Sequence, residues 1–162
     1  MIESEIQQLF SRLSVKLIFK QTKLVTVESC TGGMIGKFAT DLTGSSSWFE
    51  AGLITYSNQA KNKLASVPMS LIDKYGAVSL EVADAMVSGT LRQFPNCVAV
   101  AVTGIAGPSG GSRDKPVGTV CIATRFADQV KTRRFSFDGD RNKIRLQTVQ
   151  ESLNLLLSMD FE

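Results

Sequence analysis

Six apolar residues in a row, Cys97-Val98-Ala99-Val100-Ala101-Val102, constrain the fold more than any other stretch of this chain. A strand with one wet face alternates apolar and polar side chains. A run without alternation needs cover on both faces. Residues 24–27 read as a second short buried strand, and residues 51–56 as a third. Residues 118–126 and 131–137 read as two more, joined at Ala127-Asp128-Gln129.

Helical patterns fall between these strands. Residues 2–20 carry Ile6, Leu9, Phe10, Leu13 and Leu17 at the spacing of one buried helix face. Residues 33–41 form a helix stopped by Leu42-Thr43-Gly44, and Ser45-Ser46-Ser47 is a polar loop leading to Trp48-Phe49. Asn58 is the expected cap of a helix running to residue 66. A short helix ends at Tyr75-Gly76. Ser79 caps a helix whose core face is Val82, Ala85, Met86 and Gly89. Asp140 caps the last helix, with Leu146, Val149, Leu153 and Leu156 on one side. Helices alternating with buried strands, then a hairpin, predict a three-layer α/β/α sandwich with a mixed, mostly parallel sheet. At 162 residues the chain fits a single domain, 1–162.

The charge balance of +3 is too mild to suggest a nucleic-acid partner. No signal-peptide pattern follows Met1, and no apolar run nears the ~20 residues of a membrane span. A cytoplasmic location is therefore the expectation. Cys30, Cys97 and Cys121 are an odd, scattered set with neither disulfide nor metal spacing, and the latter two read as buried thiols. With no histidine in the chain, any nucleophile needs another activator, and a lysine is the natural one.

The chemistry-bearing segments sit where strands end. In α/β sheets, ligands bind beyond the carboxyl ends of the parallel strands. Glu28-Ser29-Cys30-Thr31-Gly32-Gly33 follows the first buried strand, Tyr56-Ser57 the second, and Thr103-Gly104 the third. Ser29 is a candidate nucleophile, or simply a helix cap. Cys30 is its alternative. Lys61, near the start of its helix, is a candidate general base or a solvated surface lysine; desolvation must supply most of any fall in its pKa. Lys63 points about 200° away from Lys61 on a helix. The loop from Thr103 to Pro116 holds Gly104, Gly107, Gly110 and Gly111. Glycine-rich loops cradle phosphates through backbone N–H groups, or are plain surface loops. Arg141, or Arg145 one turn later, is a candidate phosphate partner. No metal site is visible.

Taken together these residues resemble the CinA C-terminal domain family, whose characterised bacterial members are nicotinamide-nucleotide amidohydrolases. The resemblance rests on Glu28-Ser29-Cys30-Thr31-Gly32-Gly33, Gly44-Ser45-Ser46 with Trp48-Phe49, and Thr55-Tyr56-Ser57-Asn58 with Lys61. It continues through Tyr75-Gly76-Ala77-Val78-Ser79, Thr103-Gly104-Ile105-Ala106-Gly107-Pro108, Lys115-Pro116-Val117-Gly118-Thr119 and Gly139-Asp140-Arg141. It implies hydrolysis of nicotinamide mononucleotide to nicotinic acid mononucleotide and ammonia, in pyridine nucleotide salvage. It implies Ser29 as nucleophile, Lys61 as base and Tyr56 as a third catalytic residue, with no metal and no cofactor. It places Cys30, Thr31, Gly32, Gly33, Gly44, Ser46, Thr103, Gly104, Gly107 and Arg141 around the substrate. Backbone N–H groups near Gly32 or Ser46 are expected to hold the oxyanion. It also implies a stand-alone form and a homodimer, with a small-molecule nucleotide as the only other partner. The rival expectation is a non-catalytic nucleotide-binding or regulatory module of the same fold.

Overall fold

The computed structural model describes residues 1–161. Helix α1 (Ile2–Phe19) precedes strand β1 (Lys23–Glu28), helix α2 (Met34–Thr40), a 3₁₀ turn at Ser45–Ser47 and strand β2 (Phe49–Ile54). Helices α3 (Asn58–Ala65), α4 (Met69–Tyr75) and α5 (Leu80–Gln93) follow, then strands β3 (Cys97–Gly104), β4 (Thr119–Phe126) and β5 (Gln129–Ser136), and helix α6 (Arg141–Leu157). The strands form one sheet in the order β2-β1-β3-β4-β5. β1 is parallel to both β2 and β3; β4 runs against β3, and β5 against β4. Four strands therefore run one way and β4 alone opposes them, giving the expected mixed, mostly parallel sheet.

The apolar run in β3 has a direct explanation. Val98, Val100 and Val102 enter one core with α1, α2 and α6. Ala99 and Ala101 enter the other, with α3, α4 and α5. Successive side chains point to opposite faces, so two cores require apolar residues at every position. In α1 the buried residues Ile6, Phe10, Leu13 and Leu17 recur every three or four positions, as one helix face requires. Trp48, after the 3₁₀ turn, is buried with its ring 5.9 Å from that of Phe10. Among the described residues no helix is long and apolar enough to cross a membrane.

Some local expectations shift. The cap of α3 is Ser57, not Asn58: its hydroxyl accepts from the Ala60 N–H at 3.0 Å. Strand β2 begins two residues early and stops at Ile54. The Thr55 N–H still bonds the Glu28 carbonyl at 2.8 Å, but Tyr56 turns out of the sheet and is 61% exposed. The core face of α5 takes in Ala83, Val87 and Thr90, while Ala85 is only half-buried. Cys97, at the mouth of β3, is half-buried rather than buried, whereas Cys121 lies in the core.

Helix α5 crosses the end of α3 at Gly89. A Cβ added there would drive into the Ala65 carbonyl and reach within 3.2 Å of the Ser66 Cβ. Backbone cannot give way as a side-chain tip can. Gly89→Ala is expected to cost more than the ~1–3 kcal/mol typical of overpacking. Urea denaturation monitored by circular dichroism reads this directly, and an unchanged midpoint would contradict so close a crossing.

The register sets the position of everything that follows. Glu28, the last residue of β1, pairs with Ile54 on β2 and Val102 on β3. The carboxyl ends of three adjacent parallel strands thus finish level, and the segments after them share one edge of the sheet.

Candidate active site

Ser29 continues the sheet by one bond, its N–H donating to the Val102 carbonyl at 3.1 Å. The chain then turns sharply. The Gly32 N–H donates to the Ser29 carbonyl at 3.1 Å, and the Met34 N–H to the Thr31 carbonyl at 3.1 Å. Gly32 and Gly33 hold φ values of 57° and 100°, a region that side chains with a Cβ enter at a cost.

The alternative that Ser29 caps α2 does not hold. Gly33 occupies the cap position, and no side chain there caps the helix. Glu28 takes that part instead. Its buried carboxylate accepts from the Ile35 and Gly36 N–H groups at 2.8 and 3.1 Å. It also accepts the hydroxyls of Thr31 at 2.7 Å and Thr26 at 3.1 Å. A buried carboxylate is tolerable only with such compensation. In sequence Glu28 is only the first residue of the Glu28-Ser29-Cys30-Thr31-Gly32-Gly33 motif. An acid between a buried strand and a glycine turn was the available signal.

Lys61 projects from α3 into the sheet edge and is only 2% exposed. Its Nζ lies 3.0 Å from Ser29 Oγ, 3.1 Å from the Thr55 carbonyl and 3.2 Å from the Tyr56 carbonyl. No acidic side chain forms an ion pair with it among the described residues. Burial lowers its pKa from the ordinary 10.5. The Cys30 thiol opposes this weakly, because burial pushes that thiol up to about 12 and leaves it uncharged near neutrality. As placed, Nζ donates to the two carbonyls and to Ser29 Oγ; when the amine is neutral, two N–H bonds to the carbonyls leave its lone pair for the Ser29 hydroxyl. Ser29 itself is 7% exposed.

The two groups open on a cleft of about 230 Å³ lined by Ser29, Cys30, Tyr56, Asn58, Lys61, Ala77, Val78, Thr103, Gly104, Ala106 and Arg141. Asn58, Ala77, Val78 and Ala106 are additions that no chemical signal in the sequence marked. The Thr103 hydroxyl donates to the Ala77 carbonyl at 2.8 Å, so toward the cleft it can only accept. Arg141 donates to the Gly107 carbonyl at 2.8 Å and the Tyr56 hydroxyl at 3.2 Å, bridging the two sides of the mouth. Burial holds the Cys30 thiol protonated, and the residue forms part of the cleft wall.

Other expected site residues stand elsewhere in this chain. Thr31 is fully buried, with its hydroxyl turned down to Glu28. Gly33 faces Ile54, where an added Cβ would lie 3.2 Å from Cδ1. Gly107 contributes its carbonyl to Arg141 rather than a cleft surface. Gly44 and Ser46 are exposed and do not line the cleft. The two arginines have different surroundings. Arg145 Nε and Nη2 donate to the Cys30 and Thr31 carbonyls at 3.1 and 2.8 Å, so that guanidinium is engaged with backbone. Arg141 is the arginine that lines the cleft.

The family described as the CinA C-terminal domain matches residues 6–159. A protein named nicotinamide-nucleotide amidohydrolase PncC, from Pseudomonas putida, is 46% identical over 157 residues, covering 97% of this chain and 98% of its own. A CinA-like protein from Geotalea daltonii is 52% identical over 141 residues, 86% of this chain. This chain spans about a third of that longer relative, 34% of its length. Among solved structures, the competence/damage inducible protein CihA from Agrobacterium tumefaciens superposes with a TM-score of 0.91 at 39% identity, covering 95% of this chain and 94% of its own.

Proposed function

This chain belongs to the CinA C-terminal domain family, and from that membership and the buried Ser29–Lys61 contact we propose that it hydrolyses the carboxamide of nicotinamide mononucleotide. The products are nicotinic acid mononucleotide and ammonia. The observation that carries the reading is the 3.0 Å contact between a nearly inaccessible lysine and a serine at the end of β1. A serine hydroxyl is a weak nucleophile until a base takes its proton. A lysine serves as that base more readily as its pKa falls from the ordinary value, and burial lowers it here.

Neutral Lys61 accepts the Ser29 proton as Oγ bonds to the amide carbon. Lys61 then returns the proton to the nitrogen as the C–N bond breaks and ammonia leaves. Water, deprotonated by the same amine, cleaves the ester to release the acid and restore Ser29. The Thr103 oxygen, able only to accept, suits a carboxamide NH₂ and disfavours the carboxylate product. Arg141, fixed by Gly107 and Tyr56, offers its remaining donors to the nucleotide phosphate. Binding at the phosphate then holds the amide against Ser29.

The test is incubation of the purified protein with nicotinamide mononucleotide, following ammonia by a coupled assay and the acid by anion-exchange chromatography. Equal amounts of both are expected. Tight nucleotide binding with neither product would favour a binding module instead.

A further inference from the structure

We infer that Arg145 is a positioning residue for the transition state: its two bonds brace the turn after Ser29, whose first free donor, the Cys30 N–H, receives the oxyanion. This rests on the hydrolase reading above. The argument begins with peptide geometry. In a trans peptide the C=O and N–H point in opposite directions, so fixing one fixes the other. Three peptide units follow Ser29. In the first, the Ser29 carbonyl accepts the Gly32 N–H, which turns the Cys30 N–H out of the turn. In the second, the Cys30 carbonyl accepts from Arg145 Nε at 3.1 Å, which turns the Thr31 N–H away from the guanidinium. In the third, the Thr31 carbonyl accepts from Arg145 Nη2 at 2.8 Å, and the opposite N–H, that of Gly32, is the one bonded to Ser29.

Every peptide in the turn is thus held, two of them by one planar side chain. Among the described residues, the Cys30 and Thr31 N–H groups have no backbone acceptor. The Gly32 N–H, expected from sequence as an oxyanion donor, is already used. Of the two, the Cys30 N–H directly follows the nucleophile and Cys30 lines the cleft beside it, whereas Thr31 is buried behind the turn; Arg145 acts on the Cys30 donor by bracing the turn, not by bonding that donor's own peptide. Donors set rigidly where negative charge develops act mainly on kcat. Guanidinium suits this task better than ammonium, because its fork reaches two carbonyls in one plane. Glu28 holds the same turn from below, through Thr31 and the first N–H groups of α2. Arg145 therefore acts through the backbone, and Arg141 alone faces the nucleotide.

The experiment compares wild type, Arg145→Met and Arg145→Lys. One arm is steady-state turnover of nicotinamide mononucleotide. The other is inhibition by pyridine-3-boronic acid, which has no phosphate. Ser29 Oγ bonds to its trigonal boron, the hydroxyl proton passes to Lys61, and the boron becomes a tetrahedral anion. Arg145→Met is expected to lower kcat by about 100-fold with KM within about twofold of wild type. Boronate affinity should fall by a similar factor. Arg145→Lys should lie between, with both readouts moving together. If Arg145→Met melts too low to assay, the lysine variant carries the test below its own melting temperature. A raised KM with kcat and boronate affinity intact would assign Arg145 to the phosphate and overturn the inference. So would no change in any readout, with wild type active. A wild type that releases no ammonia and takes up no boronate removes the hydrolase reading and this inference together.

Discussion

Ser29→Ala is expected to lower kcat for nicotinamide mononucleotide by about 10⁴-fold or more, with the fold and nucleotide affinity retained. The substitution removes the atom that forms the acyl bond, and nothing nearby replaces it. Cys30 is adjacent, but its thiol, pushed up to about 12, supplies no thiolate near neutrality. The hydroxyl makes one short contact, with Lys61 at 3.0 Å, and a long one of 3.5 Å to the Tyr56 carbonyl. Its loss therefore removes little that holds the structure. Ammonia release measures the rate, and calorimetric titration with the acid product measures binding. Residual turnover within tenfold of wild type would mean that another group attacks the amide.

Lys61→Met is expected to cost about 10³-fold in kcat/KM, and to remove a pH dependence that the wild type shows. Only the neutral amine accepts the Ser29 proton. Wild-type activity should rise about tenfold per pH unit, then level once the amine is deprotonated. Burial lowers that pKa from 10.5, so the plateau begins at a lower pH than a solvated lysine would give. Activity that stays flat down to about pH 5 would exclude lysine as the base. Stability carries the same signature. In the unfolded chain the amine keeps its ordinary 10.5, while the folded value is lower. Between the two values the unfolded state binds the extra proton. Wild-type stability should therefore rise with pH across that window, by at most about 1.4 kcal/mol per unit. Below the folded value the cost is complete and independent of pH. Urea titrations of wild type and Lys61→Met at a series of alkaline pH values isolate this slope, which the methionine variant lacks.

Much of the architecture was legible because it depends on local pattern. The strand β3 was readable from its unbroken apolar run, α1 from its spacing of apolar residues, and α6 from the Asp140 cap, whose carboxylate accepts from the Lys143 N–H at 2.8 Å. The glycine turn after β1 was readable because φ values of 57° and 100° suit glycine. Local pattern is ambiguous where two residues of like chemistry adjoin. Ser57 and Asn58 are both good caps, and backbone direction, set by the exit from β2, decided between them.

The site was legible as a set of candidates but not as an arrangement. Ser29 reads equally well as a cap until Glu28 is seen to occupy the N–H groups of α2. Arg141 and Arg145 lie one turn apart and look alike in sequence. Packing α6 across the turn after Ser29 sends one guanidinium to backbone carbonyls and leaves the other at the cleft. Gly44 and Ser46 adjoin a buried tryptophan in sequence, yet the fold leaves both exposed and off the cleft lining. Residue types and their order settle strands, turns and caps, since those depend on side chains a few positions apart. The fall in the Lys61 pKa and its reach to Ser29 arise from how α3 packs against the sheet edge. Desolvation and distance are sums over atoms remote in the chain, and only the folded arrangement brings those atoms together.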